Sequence, residues 1–383
     1  MQIIRKPSPK TSKRFGLVCI VVFLLAGFCV GQAAGPFSNW TEFHRTNMAR
    51  WNRAEKVLGV KNVGCLGLKW SYGTGQRVFS SPLVANGVVY VGSHDSNVYA
   101  LKTSTGAKLW SYTTGGLVYS SPALANGMVY VGASDGNLYA LNASTGAKLW
   151  IYKTDQVNPS PAVANGVVYF GSYDSNVYAL NASTGAKVWS FATRDLVVSS
   201  PAVAKGVVYV GSFDHNVYAL NASTGAKLWS YATAYYVNSS PAVARGVVYV
   251  GSVDGKVYAL NASTGALLWS YKTGDIVNSS PAVANGVVYV GSNDGNIYAL
   301  NANTGAKLWS YTTGGAVSSS PAVAHGVVYV GSDDFSVYAL NASTGAKLWS
   351  YATGGAVDSS PTVAHGAVYV GSTDYKIYAF GLK

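Results

Sequence analysis

Apolar and polar positions alternate along this chain in short runs bounded by turn residues, and the runs recur as a set. Between Tyr258 and Trp309 the set reads Y-A-L-N-A-S-T-G-A, L-W-S-Y-K-T-G, S-S-P-A-V-A-N-G-V-V-Y-V-G-S and x-D-G-N-I-Y-A-L. A period of two, with Val, Ile and Tyr enriched, predicts half-buried strands. In this copy we expect strand A over Ser279 to Ala284, strand B over Val287 to Ser292, strand C over Asn296 to Leu300 and strand D over Lys307 to Tyr311. Gly at every turn suits tight hairpins, because it takes positive φ without steric cost.

The set is copied along the whole chain. Trp70, Trp110, Trp150, Trp189, Trp229, Trp269, Trp309 and Trp349 stand 40, 40, 39, 40, 40, 40 and 40 residues apart. A period near forty built of short strands predicts an all-β propeller. After Trp349 the chain delivers strands A, B and C and stops, whereas Leu66 to Tyr72 is a strand D with nothing before it. The orphan and the gap match. We therefore expect eight four-stranded antiparallel blades, with the N-terminal strand completing the last one and leaving no open sheet between first and last.

Residues 1–33 read as an export signal: Arg5, Lys6, Lys10, Lys13 and Arg14 form a basic leader, Phe15 to Val30 an apolar stretch, and Gly31-Gln32-Ala33 a cleavage site. An uncleaved anchoring helix is the alternative, although the run of about 16 residues is short against the roughly 20 that span a bilayer. The expected product is exported, periplasmic or extracellular, monomeric, and without a membrane span once the signal is cleaved. Residues 34–65, with Trp40, Phe43, Asn52, Glu55 and Leu58, form a pre-propeller segment expected to pack under the ring, and 66–383 form the propeller. Cys19 and Cys29 fall in the signal, so Cys65 is expected to stand without an intrachain partner. A surplus lysine recurs once per repeat at 108, 148, 187, 227, 307 and 347, which reads as solubilising charge on strand edges and not as a nucleic-acid groove.

The run Ala140-Leu141-Asn142, Thr145-Gly146 and Trp150, recurring in each copy, resembles the A-x-D-x-x-T-G-x-x-x-W docking motif of the pyrroloquinoline-quinone-type (PQQ-like) eight-bladed propellers. The resemblance implies that each Trp on the outer strand packs against a turn of the neighbouring blade. It also implies, for the enzymes of that family, a quinone with calcium held by Glu and Asn or Asp, a catalytic Asp and a vicinal cysteine pair. No Glu stands in the blades, and no Cys-Cys pair exists. The regular carboxylates Asp95, Asp135, Asp174, Asp214, Asp254, Asp294, Asp334 and Asp374 repeat with the symmetry, as hairpin caps do and a catalytic centre does not. We expect no catalysis, metal or cofactor, with a PQQ-dependent dehydrogenase using PQQ and calcium, or a degenerate relic of one, as the alternative.

Variation among the copies concentrates on the face that carries the D-to-A and B-to-C connections. Three residues before the strand A proline stand Phe79, Tyr119, Asn158, Val198, Asn238, Asn278, Ser318 and Asp358. An aromatic pair at Phe79 and Tyr119 beside Arg77 suits a protein or glycan partner, since stacking supplies area and the guanidinium supplies direction. Asp358 and Tyr375 complete the expected site, over blades one, two and eight. Free drift of unburied loop tips is the other reading of this variation, and a binding or scaffolding module is the function these features favour.

Overall fold

The structure, a computed structural model, describes residues 39–43 and 49–383. The expected signal lies outside them, as do 34–38 and 44–48 of the pre-propeller segment. Eight sheets follow one another, each of four antiparallel strands, and one of them takes a fifth strand from that segment. In blade six the strands are Ala282–Ala284, Val287–Gly291, Asn296–Asn301 and Lys307–Thr312. Leu66–Gly73 pairs antiparallel with Lys376–Leu382, Leu66 opposite Leu382 and Gly73 opposite Lys376. The ring is thus closed by the N-terminal strand, acting as strand D of blade eight. Among the described residues no helix is long and apolar enough to cross a membrane.

Strand A begins three residues later than alternation predicts, and the S-S-P preceding it explains why. Proline gives no N–H to a ladder. The serine before it turns sideways instead, the amide of Ser280 donating to Ser320 Oγ of the next blade at 2.9 Å. The same bond runs from Ser81 to Ser121, Ser121 to Ser160, Ser160 to Ser200, and onward until Ser360 donates back to Ser81. Eight bonds therefore make a closed girdle around the central channel, satisfying buried amides that no strand pairing reaches.

The core lies between blades. Tyr209, Val217, Ala219 and Trp229 of blade four pack on Val248, Val250, Tyr258 and Leu260 of blade five. Each strand D indole donates to a carbonyl of the following blade, Trp229 to Ala262 at 3.0 Å and Trp349 to Leu66 at 3.0 Å. The indole lies flat on the turn glycine: a Cβ on Gly225, whose φ is +73°, would sit 2.7 Å from the Trp189 ring. Before the Trp, strand D carries a bulge, as between Lys227 and Trp229, whose partners Leu220 and Ala219 are adjacent. The extra residue, Leu228, is 51 % exposed on the outer edge. Such a bulge disrupts the edge and discourages further pairing.

The pre-propeller segment does more than underlie the ring. It is a strap that follows the inner strand edges around the channel. Trp40 exchanges backbone bonds with Val84 of blade one, Thr41 O accepts from Leu124 of blade two, and Glu42 Oε2 from Val163 of blade three. Ala49 and Arg50 carbonyls then accept from Val283 and Val323, of blades six and seven. Trp51–Asn52 runs parallel to Ala322–Ala324, and Asn52 Nδ2 donates to Val363 O of blade eight. Innermost strands leave one row of backbone groups unpaired, and the strap pairs them. Arg50 is fully buried, donating to the carbonyls of Pro321, Ser320, Pro361 and Phe43, and burial pulls its pKa down to about 9. One expectation is corrected: Cys65 is disulfide-bonded, and its partner lies outside the described residues.

Candidate functional site

Strand alternation puts the D-to-A and B-to-C connections on one face. The repeated Asp of each B-to-C turn organises that face. Asp214 Oδ1 accepts the Asn216 amide at 3.0 Å, while Oδ2 accepts the Tyr218 hydroxyl at 2.6 Å and the Arg194 amide of the D-to-A connection at 3.0 Å. Burial alone would raise this carboxyl, but the hydrogen bonds outweigh it and hold the pKa below the usual range. Each such Asp ties two loops together, which leaves the chemistry of the face to the residues that differ between blades.

At the channel mouth those residues divide by type. On blades one and two, Phe79 stacks on Tyr119 with centroids 5.9 Å apart, and His94 lies against both, 4.6 Å from Phe79 and 4.0 Å from Tyr119. Burial first, and then the charge of Arg77, pull the His94 pKa below its usual value, so the imidazole is neutral at pH 7. Its Nε2 is buried and has no hydrogen-bond partner among the described residues. Farther round, Phe213 stacks on Tyr236 at 4.6 Å and 12°. From blade five onward the mouth turns polar: Asn238 donates to Asn278 at 3.1 Å, and Ser318 to Asn293 at 3.3 Å. Asp358 then faces Asp333; burial, followed by that neighbouring charge and hydrogen bond, pushes its pKa up to about 7. Two carboxyls that close share a proton near neutrality.

The residues singled out by sequence separate into three places. Arg77, Phe79 and Tyr119 come together, and Tyr119 is 39 % exposed. Asp358 belongs to the carboxyl pair instead. Tyr375, 44 % exposed, occupies a turn position with φ +70°, where its carbonyl accepts the Thr74 amide at 2.7 Å; it makes no ring contact among the described residues. A cleft of about 640 Å³ adjoins Tyr119, lined by Leu117, Ser134, Gln156, Asn158, Tyr173 and Val198. It opens toward blades three and four. The one-residue deletion in the repeat falls beside it, between Thr154 and Gln156, since Gln156 O accepts the Tyr173 amide as Leu117 O accepts that of Ser134. His94 was not chosen from sequence; its sign was only that it shares a blade with Phe79.

Solved structures share this architecture. BamB from Moraxella catarrhalis is 21 % identical, with a TM-score of 0.73, covering 82 % of this chain and 99 % of that one. Quinohemoprotein alcohol dehydrogenase ADHIIG from Pseudomonas putida HK5 is 19 % identical at a TM-score of 0.78, covering 90 % and 80 %. The computationally designed Ika8 protein is 19 % identical at 0.75, covering 82 % and 100 %. At such identities the likeness establishes the fold alone. No curated protein sequence matches the chain. The profile described as outer membrane protein assembly factor BamB matches residues 51–160, 154–240, 236–317 and 293–383, which together span the strap's end and every blade, so the chain belongs to that family of PQQ-like propeller repeats.

Proposed function

We propose that the protein is an exported, non-catalytic binding or scaffolding module whose D-to-A face recognises a protein or glycan through blades one to four. The Phe79–His94–Tyr119 cluster beside the cleft carries this reading. The partly exposed rings give contact area and Arg77 a charge at the rim. The polar opposite half makes the mouth asymmetric, which a unique site on a pseudo-symmetric ring requires. The family profile's description, an outer membrane protein assembly factor, agrees with partner binding.

The alternative, a PQQ-dependent dehydrogenase, draws on the dehydrogenases among the similar structures. The donors at the mouth do not fit it. Both Glu side chains, Glu42 and Glu55, are buried on the strap at the other end of the channel. The sequence has no adjacent cysteines to lie against a quinone.

The test is the double substitution Phe79→Ser and Tyr119→Ser, which installs the serine of blade seven. Capture of partners from the exported fraction should fall at least about tenfold, equivalent to about 1.4 kcal/mol, while melting barely changes. Unchanged capture would place the site elsewhere. A large drop in melting would mean that the rings serve the core.

A further inference from the structure

The two faces of the disc differ in charge far more than the net charge of the chain suggests. All thirteen aspartates stand in the D-to-A and B-to-C connections of one face. Six cations accompany them there. The opposite face, made by the A-to-B and C-to-D turns, the strap and the adjoining strand ends, carries fourteen exposed Lys and Arg side chains among the described residues. Six of these are the repeated lysines Lys108, Lys148, Lys187, Lys227, Lys307 and Lys347. Its only Asp or Glu side chains, Glu42 and Glu55, are buried at 7 % and 2 % exposure. The one ion pair among the described residues, Lys376 with Asp374 at 4.0 Å, belongs to the acidic face. Unneutralised like charge repels itself, so collecting it on one side is unfavourable unless something anionic meets it.

We propose that this basic face docks on an anionic lipid bilayer. Two features select a membrane surface. The lysines are spread around the circumference, one on each of six of the eight blades, and do not form a stripe. A plane of headgroups engages the whole array at once, whereas a nucleic-acid duplex would reach only those along one diameter. The half-exposed Leu109, Leu149, Leu228 and Leu308 each follow one of these lysines in the chain, placing apolar side chains at the same rim. Docked this way, the protein turns its aromatic mouth away from the lipid.

The test uses the full chain with vesicles of phosphatidylcholine alone or with about 30 mol % phosphatidylglycerol, the fraction bound being read by sedimentation. Binding to the anionic vesicles should exceed binding to neutral ones at least about tenfold at about 50 mM salt, and should fall at least about tenfold by about 300 mM. Comparing the two lipids removes the apolar contribution of the leader, and comparing the two variants below, which share its five basic residues, removes the contribution of its charge. The variant K148Q/K187Q/K227Q/K307Q should lose most of the preference. K153Q/K256Q/K272Q/K376Q, which removes the same charge from the acidic face, should keep it within about twofold. Equal loss in both would make net charge, and not the face, responsible. Absence of a lipid preference, or tight binding to duplex DNA without vesicle binding, would overturn the proposal.

Discussion

Glu42 gives the strap a pH dependence that can be worked out in advance. Its side chain is buried, its Oε2 accepts one amide, that of Val163 at 3.3 Å, and no ion pair joins it to a described residue. Burial pushes its pKa up from 4.5 to about 8, with the Val163 hydrogen bond opposing only in part. Between those two values the folded protein holds a proton that the unfolded chain has released, so stability is fully present below pH 4.5 and falls as pH rises to about 8. At about 1.4 kcal/mol per unit the total approaches roughly 5 kcal/mol, an upper bound because the strap can peel from the channel before the blades unfold. Glu42→Gln keeps a carbonyl for the Val163 amide and removes the titration. Asp358, raised from 3.8 to about 7, adds a similar fall in both proteins, so the difference between wild type and variant isolates Glu42. Melting should be measured from pH 4.5 to 9, with limited proteolysis at each pH to detect strap release. Glu42→Gln should gain on the wild type steadily up to about pH 8 and by a constant amount above it. Parallel curves would show that Glu42 is not held protonated and that the strap is wetter than its burial implies.

The blades were legible because eight copies of one pattern reinforce each other, and closure was legible because the extra strand D at Leu66 matched the missing one after Phe380. What was missed lies between copies or outside them. The serine girdle looks like the start of a strand, since a side chain that bonds the next blade leaves no period to read. The bulge at Leu228 interrupts an alternation that still scans as a strand. The strap has no repeat, and its partners are up to 311 residues away, as between Asn52 and Val363. For the site, Phe79 and Tyr119 could be paired because adjacent blades bring equivalent positions together. The cleft could not be placed, because a deleted residue does not say which way the loop relaxes. Charge segregation was countable in the sequence, but lysines read strand by strand look like scattered solubilising groups until turns are sorted by face.

The remaining predictions concern how the ring is held. Ser200→Ala should cost about 1–3 kcal/mol by chemical denaturation, because the Ser160 amide loses its 2.9 Å acceptor in a buried site; no change would mean that water replaces it. Trp229→Phe should cost only about 0.5–1.5 kcal/mol, since the Ala262 carbonyl keeps the Tyr209 hydroxyl at 3.1 Å, whereas Trp229→Ala should cost about 3–5 kcal/mol; equal costs would mean that the hydrogen bond and not the packing holds the joint. Replacing residues 66–73 by a flexible linker of equal length should do more than any point change. That strand covers the edge of Lys376–Leu382, and it makes two of the eight blade joints, Trp70 donating to Thr103 O and Leu66 O accepting from Trp349. Its loss leaves an apolar strand edge exposed and the ring cut at one point, a geometry that pairs with a second copy. Light scattering after size-exclusion chromatography should therefore show oligomers and lowered melting. A monomer of unchanged melting would mean that the strap and the girdle close the ring without it.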